Sequence, residues 1–225
     1  MFKFLRKKRK PTAYEQLRGS ILANEPLEDV ALDPAESDNE QSPWFHFAAA
    51  NRLAAAGANA AIEHLRYVVE MTEIETRTQL QAWHCLRALG VEPEESIGKE
   101  VHGIVVEVGL EAGVDCVAAY RDRTARYFNH SSAAVIWDTE TAEMNASIDP
   151  LLEIAASIGE STAPFDEPHP PPPDGGVLLI NILTPAGIHI GTGPMDTMQN
   201  DPMGAAVTQA AMGLMQKLMK VEEGG

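Results

Sequence analysis

Cysteine is nearly missing from this 225-residue sequence: Cys85 and Cys116 stand alone, with no CxxC or CxxH spacing around either. Two thiols in a chain this long exclude a disulfide scaffold. They suit a reducing compartment, where each packs as a small apolar residue. Metal-ligand spacing is lacking too. His46, His64, His84, His102, His130, His169 and His189 are scattered, with no HExxH and no ExxH pair, so neither a metal nor a cofactor is expected. No apolar run approaches the ~18 residues of a membrane span. After MFKFL the chain continues RKKRKPTAYEQLRGS, where a secretion signal would need its apolar stretch, so a cytoplasmic location is expected.

Positive charge is scarce outside one short segment. The net charge is −16, yet residues 1–10 hold Lys3, Arg6, Lys7, Lys8, Arg9 and Lys10 and no acid. The other residues hold 11 basic and 33 acidic groups, a net of −22. A body of that sign repels phosphate backbones, which excludes a nucleic-acid partner. The tail is different. Phe2, Phe4 and Leu5 beside six cations predict reversible contact with an anionic membrane surface, peripheral at its inner face.

Secondary-structure signals divide the rest. Residues 11–42 are acidic and poor in apolar groups, so residues 1–42 read as tail and linker, with one or two helical turns around Leu17, Ile21 and Leu22. Ser42-Pro43 is an N-cap followed by proline at the first helical position. It opens a helical subdomain over 43–92, with three short helices. The second runs near Asn59–Met71, and Thr72 with Glu75 predicts a capping box before the third.

From residue 99 to 222 the period turns extended. HGIVVEVGL, GVDCVAAYR and TARYFNH read as strands, with a hairpin turn at 121–124. AAVIWD is either the last of these resumed past a bulge or a new strand. Asp149-Pro150 predicts a helix start, with Leu151, Leu152, Ala155 and Ile158 sharing a face. Residues 161–176 contain four consecutive prolines and read as an exposed polyproline spacer. VLLINIL and IHIGT follow as a hairpin, the first nearly all apolar and therefore central. Asp201-Pro202 opens the final helix, whose buried stripe is Val207, Ala211, Leu214, Met215 and Leu218.

The resulting class is α+β, an antiparallel sheet of about five or six strands in the order α-βββ-α-ββ-α. That order resembles the plan of type III secretion chaperones and, nearby, of roadblock and profilin-like folds. The resemblance concerns topology over about 150 residues and implies a binding module.

Three groups of residues are candidates for function. Asn129-His130-Ser131-Ser132, with Asp138 beyond, holds the residue types of base, nucleophile and orienter, so the alternative reading is a small hydrolase or ligand-binding enzyme using His130 with Ser131 or Ser132. There is no GxSxG elbow. Arg121, Arg123 and Arg126 form a basic spot in a cation-poor body and are candidates for partner contact. Six of the nine methionines lie between 195 and 219. Met212 and Met215 are expected in the core. Met195 and Met198, in a polar loop, are the partner-binding candidates, and with His189 they have the softness for Cu(I). The apolar strands and the methionine-rich helix together predict a homodimer. The expected function is a non-enzymatic adaptor or chaperone-like protein binder.

Overall fold

The computed structural model describes residues 13–224 apart from 34, 37, 56 and 132. The tail with its predicted membrane contacts, Phe2 through Lys10, lies outside the described residues, and so does Ser132. In chain order the elements are α1 (Ala13–Leu22), a 3-10 turn (Leu27–Asp29), α2 (Pro43–Ala54), α3 (Ala58–Glu70), α4 (Thr76–Ala88) and α5 (Glu95–Gly98). They continue with β1 (Gly103–Leu110), β2 (Gly113–Tyr120), β3 (Ala125–Phe128), β4 (Ala134–Trp137), α6 (Ala142–Ser161), β5 (Val177–Thr184), β6 (Gly187–Pro194), α7 (Met195–Asn200) and α8 (Pro202–Gly224).

The six strands form one sheet in the order β4-β3-β2-β1-β5-β6, every neighbouring pair antiparallel. Strand alternation sends Ile104, Val106, Leu178, Ile180 and Ile182 to one face. There they meet Met144, Ile148, Leu151 and Ala155 of α6 and Val207, Ala211, Leu214 and Leu218 of α8. The other face carries Val105, Cys116, Ala118, Tyr120 and Leu183, and α1 covers it with Tyr14, Ile21 and Leu22. A third cluster joins α2, α3 and α4 through Phe47, Ala50, Ala61, Leu65, Val68, Ala82, Cys85 and Leu86. The α+β class is therefore observed, with a helical region before a six-stranded antiparallel sheet. Both thiols are buried and free. Burial pushes the Cys85 thiol up to about 11 and raises that of Cys116 further. Among the described residues, no helix is long and apolar enough to cross a membrane.

Several local expectations change. AAVIWD is a strand of its own, paired to β3 from Ala125↔Trp137 to Phe128↔Ala134. The helix expected from Pro150 begins eight residues earlier, capped by Thr141, whose hydroxyl accepts from Met144 N. Proline inside a helix costs about 3 kcal/mol. The buried stripe Met144, Ile148, Leu151, Ala155 runs through it with four- and three-residue spacing, and its burial offsets that cost. Glu75, not Thr72, occupies the N-cap of α4, and Asp122 from the sheet accepts from Thr76 N at 2.7 Å instead of a capping box. Residues 13–22, assigned to the tail and linker, form a full helix because Tyr14, Ile21 and Leu22 bury against the sheet. Met212 is exposed, 48% of its surface open, one position off the stripe that buries Ala211.

The proline-rich stretch is a strap more than a spacer. It leaves α6, pairs with the β6 edge through Phe165 N donating to Ile188 O at 2.8 Å, passes over the α1 face and meets β1 where Gly176 N donates to Gly109 O at 2.9 Å. There Pro170 O accepts from Arg18 Nη1 at 2.9 Å.

Candidate functional site

β6 is an edge strand, and its sequence leaves that edge open. Its partners Ile182, Ile180 and Leu178 on β5 face α6 and α8, so His189, Gly191 and Gly193 opposite them do too. Two glycines in that row leave space beneath α7. Met198 enters it, with Sδ 3.3 Å from where a Cβ on Gly193 would stand. The result is a cavity of about 190 Å³, lined by Ile158, Ile180, Ile182, His189, Met198 and Met203 together with Thr162 and Asp201.

The polar groups in this apolar space have settled roles. Thr162 Oγ1 donates to Ile158 O at 3.0 Å, so His189 Nδ1, 2.7 Å away, must donate to Thr162. That fixes the tautomer and leaves Nε2 as an acceptor. Burial lowers the His189 pKa, which keeps the ring neutral near pH 7. Asp201 Oδ1 accepts from Met203 N at 3.0 Å and Gly204 N at 2.8 Å, capping α8 at the cavity rim.

Beside the cavity runs unpaired backbone. Because Ile188 O is directed outward to Phe165, alternation turns the N–H and C=O of Ile190 and Thr192 outward as well. Among the described residues these groups have no backbone partner. The strap's prolines cannot donate to a strand, so the chain pairs with its own edge once and then departs.

The structure thus gathers part of what sequence proposed. Met198 lines the cavity and Met195, half-buried, packs on the core beside it; the loop expected there is the helix α7. Arg121, Arg123 and Arg126 are not brought together at a free surface. Arg121 pairs with Glu100 at 2.8 Å, and Arg123 with Glu140 at 3.1 Å and Asp149 at 3.2 Å. Arg126 is buried, pairs with Glu75 at 3.0 Å and lies over the Tyr120 ring. In the Asn129–Ser132 segment, His130 Nδ1 lies 2.8 Å from Asp115, not Asp138. Ser131 Oγ donates to Asn129 Oδ1 at 2.8 Å, and Asp138 bonds Thr139. These bonds tie a turn, and among the described residues they bring no serine hydroxyl to His130. Among the described residues, no three His, Cys, Asp or Glu side chains gather as a metal site.

One polar cluster escaped the sequence reading. Glu107 of β1 is fully buried and receives Arg18 Nε at 2.7 Å and Nη2 at 2.9 Å. Asn181 Nδ2 donates to Glu107 at 2.9 Å and to Val105 O at 3.2 Å. Its Oδ1 therefore accepts from His169 Nε2 at 2.8 Å. Burial lowers the His169 pKa, while its bond to Asn181 opposes the shift. This cluster locks α1 and the strap onto the sheet. Its signal was present: an acid in HGIVVEVGL and an amide in VLLINIL, each inside an otherwise apolar strand.

No protein family model, no curated protein and no solved structure matches this chain.

Proposed function

We propose that this protein is a non-enzymatic binding module, an adaptor or chaperone-like protein, that takes an extended segment of a partner protein along the open edge of β6. The observation that carries this reading is the unpaired backbone at Ile190 and Thr192 directly beside the methionine-lined cavity. Strand addition supplies backbone hydrogen bonds, and a pocket for alternate side chains supplies selectivity. Thioethers adapt to different apolar shapes. The segment is apolar and cationic: the chain's net charge is −16, Asp201 lines the cavity, and Asp196 lies in the first turn of α7.

The test uses an alternating Lys–Phe heptapeptide and the full chain. Gly191→Leu fills the cavity from its floor, where a new Cβ would meet only Ile180 Cβ at 3.9 Å. Peptide affinity should fall about tenfold or more, roughly 1.4 kcal/mol, with an unchanged melting temperature. Equal affinities for the two proteins would remove the cavity from the binding site.

Residues 1–10 extend the proposal to peripheral membrane recruitment, on sequence alone. Each cation contributes about 1 kcal/mol near an anionic surface. Sedimentation with phosphatidylserine vesicles should require that tail and weaken as salt rises. Binding that persists after deletion of residues 1–10 would place the contact elsewhere.

A further inference from the structure

A second cavity, remote from β6 in the chain, lies where the helical region meets α1. It measures about 170 Å³ and is lined by Ser20, Glu25, Trp44, Phe47, Arg77 and Gln81, among others. Two of its walls are aromatic: the rings of Trp44 and Phe47 stand 6.0 Å apart and 32° from parallel. Its other walls carry opposite charges.

Glu25 is placed by its backbone. Its N–H donates to Gln81 Oε1 at 3.1 Å, and its carbonyl accepts from Gln81 Nε2 at 2.7 Å. Gly19 lets the side chain lie against α1, since a Cβ there would come 2.7 Å from Glu25 Cγ. Burial raises the Glu25 carboxyl pKa, while Arg77 across the cavity lowers it. Among the described residues no ion pair closes between the two. Arg77 instead places Nε 3.3 Å and Nη2 3.1 Å from Glu75 Oε2, and Nη1 3.2 Å from Ser20 O. The same Glu75 oxygen accepts from Arg126 Nη2 at 3.0 Å. Two guanidinium groups thus share one carboxylate, and a positive charge is left over. Among the described residues, Arg126 Nη1 is itself buried without a partner.

An acid and a cation that face one space without pairing with each other, with aromatic rings between them, are complementary to a molecule bearing both charges. We propose that this cavity binds a small zwitterion of the α-amino-acid class, its ammonium at Glu25, its carboxylate at Arg77 and an apolar side chain against Trp44 and Phe47. The volume suits a side chain of leucine size. The inference is independent of the β6 reading, and either can fail alone.

Calorimetry on the full chain tests it with L-leucine and two analogues that each lack one charge, 3-methylbutylamine and 4-methylpentanoate. L-leucine should bind about tenfold or more tighter than either analogue. Glu25→Gln should weaken L-leucine by about tenfold and leave 4-methylpentanoate unchanged. Gly19→Ala, which keeps the charge and displaces the Glu25 side chain, should weaken L-leucine as well. Absence of leucine binding at about 10 mM would overturn the proposal. So would equal affinity for all three compounds, which would make the cavity merely apolar.

Discussion

Arg18→Ala should destabilise the protein by about 3–5 kcal/mol, the cost of stranding a buried charge whose partner has been removed. Glu107 is fully enclosed, and Arg18 meets both of its carboxylate oxygens, with only 12% of the arginine side chain exposed. Asn181 satisfies one carboxylate lone pair but carries no charge to replace the guanidinium. The loss spreads further, because Arg18 also holds Pro170 of the strap. Urea unfolding measures it. The double variant Arg18→Met/Glu107→Met should recover much of the loss, since apolar side chains of similar size replace a buried pair without stranding either charge. A single variant within ~0.5 kcal/mol of the native chain would mean that solvent reaches Glu107 once the guanidinium is gone.

Leu214→Ala should cost about 2–5 kcal/mol by lost burial and the cavity left behind. Leu214 is completely enclosed on α8, between the sheet and α6. Met212→Ala, two residues away on the exposed side of the same helix, should change stability by less than ~0.5 kcal/mol. Equal urea midpoints for the two variants would mean that α8 is rotated from the orientation described.

The contrast between those two positions shows what sequence alone resolves. A stripe spaced by four and three residues identifies Val207, Ala211, Leu214 and Leu218 as inward, because period 3.6 is a local property. Side-chain character alone puts Met212 in the core, yet it sits about a quarter-turn from Ala211. The strands of the sheet were legible for the same local reason, alternation or continuous apolar runs. Their order was not. Pairing β1 with β5 joins residues 70 or more positions apart, and nothing local marks β6 as an edge.

The candidate sites follow the same division. Met198 and His189 could be singled out by type, but their meeting in one cavity depends on Gly191 and Gly193 facing α7. Arg18 and Glu107 lie 89 positions apart, and residues 11–42, which contain α1, read as too acidic and too poor in apolar groups to belong to a core. In the Asn129–Ser132 segment, residue types suggested chemistry, while the bonds of His130 and Ser131 serve a turn.

Backbone amide exchange along β6 tests the central claim most directly. Gly191 turns its N–H inward to β5, whereas Ile190 and Thr192 turn theirs to the open edge. In the free protein, Ile190 and Thr192 should exchange at least about a hundredfold faster than Gly191, and both should slow when the Lys–Phe peptide is added. Slow exchange at Ile190 and Thr192 without peptide, or exchange that saturating peptide leaves unchanged, would contradict an edge open for strand addition.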